Sequence, residues 1–370
     1  MVVNLHNHSY YSPLDGLPSP DALAEAAVRL GQPAIAITDH GNMGGCLPLM
    51  LAAKKWGIKP ILGYEGYIYE GYMDKNAGKP YHITLLAKNL KGFERLCDLS
   101  TKSYLKGFAE KPLLHWKWLA ENNEDLIVLS GCFSSRLSLA IRGDEPLAPE
   151  AVLKEYCDSF ANLYLEVVTF SDERQKRINA KLIQLSQKYG IPYVVTSDSH
   201  YLSPSDGIIQ DILLAVKRNT TLDYPNRFKF STHDFFFYGE EDYLQRLNYL
   251  GEDEIRKGMA CTLEVAEMVE EFSIPFSRVV RYTPPKGEAG FEEWKKKYAD
   301  RIGGMREDEA YFRFLIDCNR HRIPQTQEYL DRLNYEFAVI RERDFISYFL
   351  IVADYVRWAR DKGIFIGPGR

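Results

Sequence analysis

The amino-acid sequence predicts an α/β fold, in which a barrel of alternating strands and helices is followed by a mainly helical segment. Short runs rich in β-branched and aromatic residues recur over roughly the first 200 residues, and helical stretches fall between most of them. This alternation is typical of parallel strand pairing. Beyond about Pro204 the hydrophobic pattern is mostly helical.

Seven segments are predicted to be strands, a number that favours a closed or nearly closed barrel over an open sheet. They are residues 2–7, 34–38, 60–69, 81–87, 126–131, 163–168 and 192–197.

The helices predicted between these strands have clear start and stop signals. The first begins after Ser19, an N-cap residue that precedes a proline, and ends at Gly31. A second covers residues 172–189 and ends before Gly190. These signals indicate helices that pack between successive strands.

A stretch rich in proline and glycine, residues 283–288, is predicted to be a linker. We therefore expect two domains, residues 1–284 and 285–370. Amphipathic helical stretches are predicted after the linker at residues 291–302, 307–319 and 326–362, the last with a break near Asp344. Residues 364–366 are predicted to form a strand that runs into a glycine-rich turn.

The composition is that of an ordinary globular protein, with 45% hydrophobic and 26% charged residues and a net charge of −5. The chain lacks the basic excess of a self-sufficient DNA-binding domain. Its six cysteines are widely spaced without a C-x-x-C pair, which argues against a disulfide scaffold or a zinc ribbon. This cysteine pattern fits a reducing cytoplasm best, and the sequence shows neither a signal peptide nor an apolar run long enough for a membrane span.

Metal-ligating residue types are concentrated at one end of the predicted strands. The set consists of His6, His8, Asp15, Asp39, His40, Glu65, His82, Cys132, Asp198 and His200. Residues that follow the strands of a parallel barrel converge on one mouth. Imidazole, carboxylate and thiolate groups that converge from several strands predict a multinuclear metal site.

Such a site has a defined chemistry. Bridged metal ions can clamp the attacking and leaving oxygens of a phosphoester, and a metal-bound water of lowered pKa is the expected nucleophile, without a separate catalytic residue. We expect His115, His233 and His321 to be structural or surface residues, and the cysteines other than Cys132 to be buried apolar fillers.

Several sequence segments resemble the PHP (polymerase and histidinol phosphatase) domain, and more specifically the PHP domain that begins the alpha subunits of bacterial DNA polymerase III, the C-family replicative polymerases. The segments are LHNHSYYSPLDG, AIAITDHGNM, GIKPILGYEGYI, HITLLAKN, SGC and VTSDSHYL. The resemblance implies a distorted seven-strand barrel and a site for up to three divalent ions, Zn²⁺, Mn²⁺ or Fe²⁺. The resemblance also implies which residues are the metal ligands: His6, His8, Asp15, His40, Glu65, His82, Cys132, Asp198 and His200.

The end of the chain, EFAVIRERDFISYFLIVADYVRWARDKGIFIGPGR, resembles the entry into the polymerase palm of the same family. There the family continues as Gly-Pro-Gly-Arg-Gly-Ser, a turn that cradles nucleotide phosphate, which implies this role for Gly367, Gly369 and Arg370. The polymerising acidic residues, which use Mg²⁺ in the full polymerase, are expected beyond Arg370. The implied partners are a DNA primer-template, the remainder of the polymerase, and clamp and proofreading subunits.

The function expected from this resemblance is 3′–5′ exonuclease proofreading by the metal site within a replicative polymerase. Two alternatives stay open. The PHP domain could be mainly structural, because several ligands from several strands would stabilise a barrel with or without catalysis. The second alternative is a free-standing phosphatase that acts on a small phosphate ester, although the helical extension after Pro285 argues against it.

Overall fold

The computed structural model describes residues 1–69, 80–274 and 280–367. The chain forms two compact units, Met1–Ile274 and Pro275–Arg370. The division precedes the predicted linker at residues 283–288, and the functional assignment of the two predicted domains stays a prediction. Within the described ranges, no helix is both long and apolar enough to cross a membrane.

The first unit contains a mixed β-sheet with helices on its outside. Its strands are β1 (Ala34–Ile37), β2 (Lys59–Tyr69), β3 (Tyr81–Ala87), β4 (Phe108–Ala109), β5 (Lys111–His115), β6 (Leu126–Leu129), β7 (Leu163–Val168) and β8 (Tyr193–Thr196). They pair in the order β4-β5-β2-β3-β6-β7-β8, and β1 also pairs with β2. The short β4–β5 hairpin was not predicted.

The first predicted strand, residues 2–7, is not a regular strand, but it joins the two ends of the sheet. On one side the N–H of Thr38 donates to the carbonyl of Asn7 at 2.9 Å. On the other, the N–H of Ser199 donates to the carbonyl of His6 at 3.1 Å, and the N–H of His8 donates to the carbonyl of Ser199 at 2.7 Å. These bonds connect β1 to the segment after β8. The N-terminal segment, β1, β2, β3, β6, β7 and β8 therefore close into the predicted barrel, which we call the ring.

Strand β3 corrects the expectation of purely parallel pairing, because it runs antiparallel to both β2 and β6. The reversal has a direct consequence for the site. The start of β3 lies at the end of the ring where the parallel strands finish, and His82 opposes Tyr67 of β2 there.

The helices of the first unit agree with their sequence signals. They are α1 (Pro20–Arg29), α2 (Cys46–Trp56), α3 (Leu90–Lys106), α4 (Trp116–Ala120), α5 (Arg136–Arg142), α6 (Pro149–Ser159), α7 (Glu173–Tyr189), α8 (Gly207–Lys217), α9 (Glu240–Arg246) and α10 (Glu252–Met268). The Ser19 hydroxyl caps α1, and the Asp172 carboxylate caps α7. Gly190 ends α7 in the left-handed conformation, with φ of 70°.

One core cluster draws a residue from each member of the ring and packs against α10, as expected for a filled barrel interior. The face of β3 that contributes Leu86 to this cluster continues through Thr84 to His82, since alternate residues share a face. On β7 the same alternation places Tyr164 and Glu166 on one face of the strand. The interior is therefore apolar at one end of the ring and carries polar and ionisable side chains at the other.

The second unit is helical, as predicted. Its helices are α11 (Phe291–Lys297), α12 (Ala299–Ile302), α13 (Glu307–Asn319), α14 (Gln327–Glu342) and α15 (Ile346–Asp361). Its core consists of Phe291, Ala310, Tyr311, Phe314, Ile346 and Leu350. The predicted break lies at Asp344, which has φ of 56°. The strand predicted at residues 364–366 is absent, since no described segment pairs with it.

Candidate metal centre

All nine predicted ligands lie close to one another at the polar end of the ring. Three groups of their side-chain atoms are close enough to share a cation: His6 with His8 and Asp198, His8 with His40 and His200, and His40 with Glu65 and His82. Each group draws on at least two separate segments of the chain. The two groups that include Asp198 or His200 therefore depend on contact between the N-terminal segment and the loop after β8.

The first group joins the N-terminal segment to the loop after β8. His6 Nε2 lies 3.1 Å from His8 Nε2, and His8 Nε2 lies 3.1 Å from Asp198 Oδ1. His6 Nε2 lies 3.4 Å from the same carboxylate oxygen. All three side chains are buried, so water competes little for these atoms.

Glu65 is at the centre of the third group, with His40 and His82. Its Oε1 lies 2.8 Å from His82 Nδ1 and 3.4 Å from Cys132 Sγ, and its Oε2 lies 2.5 Å from His40 Nδ1. His6 Nε2 lies 3.6 Å from Oε1. A carboxylate with ligand-type atoms beside both oxygens has the arrangement of a bridging ligand.

Asp15 lies at the outer edge of the site. Its carboxylate oxygens are 3.6 Å from His40 Nε2 and 3.7 Å from His200 Nε2. Gln210 donates to Oδ1 at 3.2 Å, and Lys217 forms an ion pair with Oδ2 at 3.0 Å. Asp15 thus connects the ligand set to a cationic side chain.

The donor set fits divalent cations. His40 Nδ1 and Glu65 Oε2 are buried and lie 2.5 Å apart, but they are not aligned as a hydrogen-bond donor and acceptor, and both lack a hydrogen-bond partner. Buried polar atoms without partners are costly, and a cation between them would remove that cost. Imidazole, carboxylate and thiol groups together match the ligand preferences of zinc and related metals.

Neighbouring charges shift the pKa values of the imidazoles in opposite directions. Burial disfavours the charged form of His6, but attraction to Asp198 and Glu166 outweighs it and raises the pKa of this imidazole to about 10. For His8, burial and the adjacent His40 imidazole lower the pKa well below its ordinary value. The site therefore concentrates negative charge near His6.

The carboxylates of Glu65 and Asp15 are ionised at neutral pH. Burial alone would raise the pKa of Glu65, but attraction to His82 and His40 outweighs it and holds the pKa well below its ordinary value. For Asp15, burial is outweighed by His200, His40 and a lysine, which lower the pKa to about 2. Ionised carboxylates are the form that binds metal.

Glu166 is a functional residue that the sequence analysis missed. Its Oε1 lies 2.6 Å from His6 Nδ1, and it also accepts from the hydroxyls of Thr196 at 2.8 Å and Thr84 at 3.1 Å. An ionised carboxylate only accepts, so His6 donates from Nδ1 and presents Nε2 to the site. The available signal was an acidic residue within the otherwise apolar strand β7.

Asp39 also follows a strand and lies beside the ligand set, but its carboxylate forms hydrogen bonds with the loop that contains Ser9 and Ser12. Its carboxylate accepts from the N–H of Ser9 at 2.7 Å and from the hydroxyl of Ser12 at 2.8 Å. The Ser12 hydroxyl in turn lies 3.2 Å from His8 Nδ1 and accepts from the N–H of His40 at 3.1 Å. Through Ser12, Asp39 therefore positions the imidazole of His8 and the backbone of His40.

Two backbone positions beside the ligands adopt the left-handed conformation. Asp198 has φ of 46°, which is uncommon for a residue with a side chain and concentrates at functional sites. Gly131, next to Cys132, has φ of 92°, and a Cβ atom there would lie 2.4 Å from the carbonyl oxygen of His82. Glycine is required at this position because it lets the Cys132 loop approach β3.

Basic and aromatic side chains stand beside the ligands. Lys111 Nζ, on β5, lies 4.1 Å from the centre of the Tyr67 ring. That ring centre is 5.1 Å from the His82 ring and 6.0 Å from the His40 ring. Burial and the nearby Lys217 lower the pKa of Lys111. Two lysines therefore lie beside the ligand set.

Other predictions about histidine and cysteine have mixed outcomes. His115 caps α4 by accepting from the N–H of Lys117, and His233 and His321 are exposed, as predicted. The expectation that all remaining cysteines are buried is wrong for Cys157 and Cys318, which are exposed on their helices. Of the predicted phosphate-binding residues, Gly367 lies in an irregular segment, whereas Gly369 and Arg370 lie outside the described residues.

Comparison with family models identifies the first unit. Residues 4–170 match the model of the PHP domain. This part of the chain is a PHP domain. The match includes seven of the predicted ligands, from His6 to Cys132, while Asp198 and His200 follow it in the sequence. Residues 306–370 match a second model, described as the bacterial DNA polymerase III alpha NTPase domain.

Curated relatives extend the similarity beyond the PHP domain to the whole chain. The DNA polymerase III subunit alpha of Thermus aquaticus is 31% identical over 99% of this chain and 34% of its own length. That of Treponema pallidum is 33% identical over 100% of this chain and 30% of its own length. The chain is a relative of these alpha subunits and corresponds to their PHP-containing region. It spans about a third of their length.

Among solved structures, a Bifidobacterium adolescentis protein provisionally described as a metal-dependent phosphoesterase overlaps 54% of this chain and 87% of its own. The TM-score is 0.35 and the sequence identity 15%. A similarity this low adds nothing to the assignment made from sequence.

Proposed function

We propose that the PHP domain hydrolyses phosphoesters with divalent metal ions, and that its substrate is the 3′ end of DNA within a replicative polymerase. The observation that carries the proposal is the arrangement around Glu65, whose Oε2 lies 2.5 Å from His40 Nδ1 while neither buried atom has a hydrogen-bond partner. Proofreading by 3′–5′ exonuclease activity follows from combining this site with the relationship to polymerase alpha subunits.

The metals would be held by the nine predicted ligands, His6, His8, Asp15, His40, Glu65, His82, Cys132, Asp198 and His200. Up to three Zn²⁺, Mn²⁺ or Fe²⁺ ions suit this donor set. When bound, such ions polarise a phosphoryl oxygen and supply a water molecule of lowered pKa.

Side chains of this protein provide the remaining requirements of the reaction. Glu166 keeps His6 in the orientation that presents Nε2 to the metals. Lys111 and Lys217 supply positive charge for a DNA phosphate.

A structural role is the second candidate, and a specific observation favours it. The N-terminal segment and the loop after β8 meet through a few backbone hydrogen bonds, and ligands lie on both sides of this junction. His6 and His8 are on one side, and Asp198 and His200 on the other. Metal bound across the junction would hold the ring closed whether or not it hydrolyses DNA.

The polymerase function belongs to the same proposal. Residues Gly367, Gly369 and Arg370 would contribute to a nucleotide-phosphate site in a complete alpha subunit, where Mg²⁺ serves nucleotidyl transfer. The partners would be a primer-template, the remainder of the polymerase, and the clamp and proofreading subunits, in the cytoplasm.

The test is hydrolysis of a 3′-mismatched primer-template by the 370-residue chain with Mn²⁺ or Zn²⁺. The His8→Ala, Asp198→Ala double variant should lose metal-dependent removal of 3′ nucleotides. The matched control is the His321→Ala, Asp361→Ala double variant, which removes the same residue types from exposed positions and should retain activity.

Two other outcomes are informative. Bound metal without DNA hydrolysis would favour the structural role. Turnover of p-nitrophenyl phosphate without cleavage of DNA would favour a small phosphate ester as substrate.

A further inference from the structure

Asp15 differs from Glu65 in that both of its carboxylate oxygens already have donors, and both donors come from α8. Gln210 Nε2 donates to Oδ1 at 3.2 Å, and Lys217 Nζ donates to Oδ2 at 3.0 Å. Glu65 Oε2, in contrast, is buried without a hydrogen-bond partner. The charge of Asp15 is therefore already compensated by a cation of the protein itself.

Two imidazoles face Asp15 at the outer edge of the candidate metal centre. His40 Nε2 lies 3.6 Å from Oδ2, and His200 Nε2 lies 3.7 Å from Oδ1. The neutral imidazole of His200 donates from Nδ1 to the carbonyl of Asp198 at 2.8 Å, so its Nε2 carries the lone pair that a metal ion needs. We call Asp15, His40 and His200 the outer subsite.

Lys217 is placed so that its ammonium group can leave Asp15. It is the last residue of α8, and its side chain is 43% exposed. The side chain of Asp15 is only 11% exposed, and the buried Gln210 also holds it. An ammonium and a divalent cation at one carboxylate repel each other, most strongly where water screens little. Because Lys217 borders solvent, it is the group that moves when a metal ion takes Asp15.

We propose that Lys217 competes with the metal ion of the outer subsite for Asp15, and that a phosphate group relieves this competition by binding the ammonium. The proposal rests on the proposed function, since it requires metal at the predicted ligands. A phosphate at the mouth of the ring offers Lys217 another anion, and Asp15 is then free for the cation. The phosphate and the outer cation therefore bind cooperatively, and each raises the affinity for the other by the same factor.

Titration of the full chain with Mn²⁺, in which electron paramagnetic resonance measures the free ion, tests the competition. Asp15→Asn should abolish the weakest binding step, which assigns that step to the outer subsite. Lys217→Gln should tighten the same step about tenfold and change the tighter steps less than about twofold. If Lys217 only supported the structure of the site, its loss would weaken metal binding, so the direction of the change distinguishes the two roles.

The matched control is Arg218→Gln, which removes the same charge from the neighbouring exposed position. The Arg218 guanidinium carbon lies 4.3 Å from the centre of the Phe228 ring. This variant should change each binding step less than about twofold. Equal shifts in the Arg218 and Lys217 variants would mean that the general charge near the mouth acts, and would overturn the proposal. A weakest step in Lys217→Gln within about twofold of that of the unmodified chain would overturn it too.

Inorganic phosphate tests the coupling. Saturating phosphate should tighten the weakest Mn²⁺ step of the unmodified chain about tenfold more than that of Lys217→Gln, because the variant has no ammonium to release. Equal gains in the two proteins would overturn the proposal while leaving metal binding, and with it the proposed function, intact. Absence of Mn²⁺ binding by the unmodified chain would overturn both.

Discussion

The imidazole of His6 donates from Nδ1 to the carboxylate of Glu166 across 2.6 Å inside the ring. The two residues are far apart in sequence, one in the N-terminal segment and the other on β7. Their contact determines which nitrogen of His6 faces the candidate metal centre, so a residue outside the predicted ligand set orients a member of that set.

Replacing Glu166 with Gln should weaken metal binding without preventing folding. The neutral amide accepts a weaker hydrogen bond from His6, and we expect metal affinity to fall by about 10- to 100-fold. Zn²⁺ titration against a fluorescent chelator measures this change. Glu173→Gln, an exposed position on α7, is the control and should leave the affinity unchanged. Equal affinities for the two variants would contradict a positioning role for Glu166.

Metal should raise the thermal stability of the first unit. A ligand at 1,000 times its dissociation constant stabilises the folded state by about 4 kcal/mol, so the melting temperature with Zn²⁺ should exceed that in EDTA by several degrees. Differential scanning calorimetry measures the difference. It should disappear in the His8→Ala, Asp198→Ala double variant. A metal-dependent rise that persists in this variant would mean that the ions bind elsewhere.

Gly131→Ala should disrupt the approach of the Cys132 loop to β3. The added Cβ would lie 2.4 Å from the carbonyl oxygen of His82, and φ is 92°. We expect a loss of roughly 1–3 kcal/mol in the free energy of unfolding, together with weaker metal binding.

Gly143→Ala provides the matched control for Gly131→Ala. Gly143 also has positive φ, 80°, but no atom lies within 4 Å of the added Cβ. This substitution should cost only about 1 kcal/mol and leave metal binding intact. Urea denaturation and chelator competition measure both quantities, and equal losses for the two variants would refute the steric explanation.

Lys111→Gln tests the proposed contact with substrate phosphate. Because Lys111 stands over Tyr67 beside the ligand set, its loss should raise KM for the DNA 3′ end about tenfold and change kcat less than twofold. Lys106→Gln, at the exposed end of α3, should change neither. A loss confined to kcat would indicate that Lys111 acts on the reaction and has no part in binding the substrate.

Acid should reduce the contribution of Asp172 to stability. Its hydrogen bond with Arg174 lowers the carboxyl pKa to about 2, and the same side chain caps α7. A lowered folded-state pKa gives stability that is present above the ordinary pKa and is lost as pH falls through the folded-state value. Asp172→Ala should therefore cost about 1 kcal/mol at pH 7 and progressively less between about pH 4 and pH 2. A constant difference in melting temperature over this range would contradict the linkage.

Much of the fold could be predicted because its signals are local. The cap at Ser19 and the helix break at Asp344 depend on residues within one or two turns, and both are present. The chain reversal at β3 could not be predicted, since strand direction depends on pairing with β2 and β6. The strand predicted at residues 364–366 was wrong for the same reason, because a strand needs a partner.

The candidate site shows the same division between features that local sequence predicts and features that depend on contacts between distant segments. The sequence by itself determined which residues have metal-ligating chemistry and that they follow or begin strands, because residue type and period-2 alternation are local properties. Only the tertiary structure decided that Glu166 supports His6, that Asp39 fastens a loop, and that Lys111 and Lys217 stand at the mouth. The physical reason is that hydrogen bonds and ion pairs between distant segments depend on ring closure, which brings the N-terminal segment against the loop after β8.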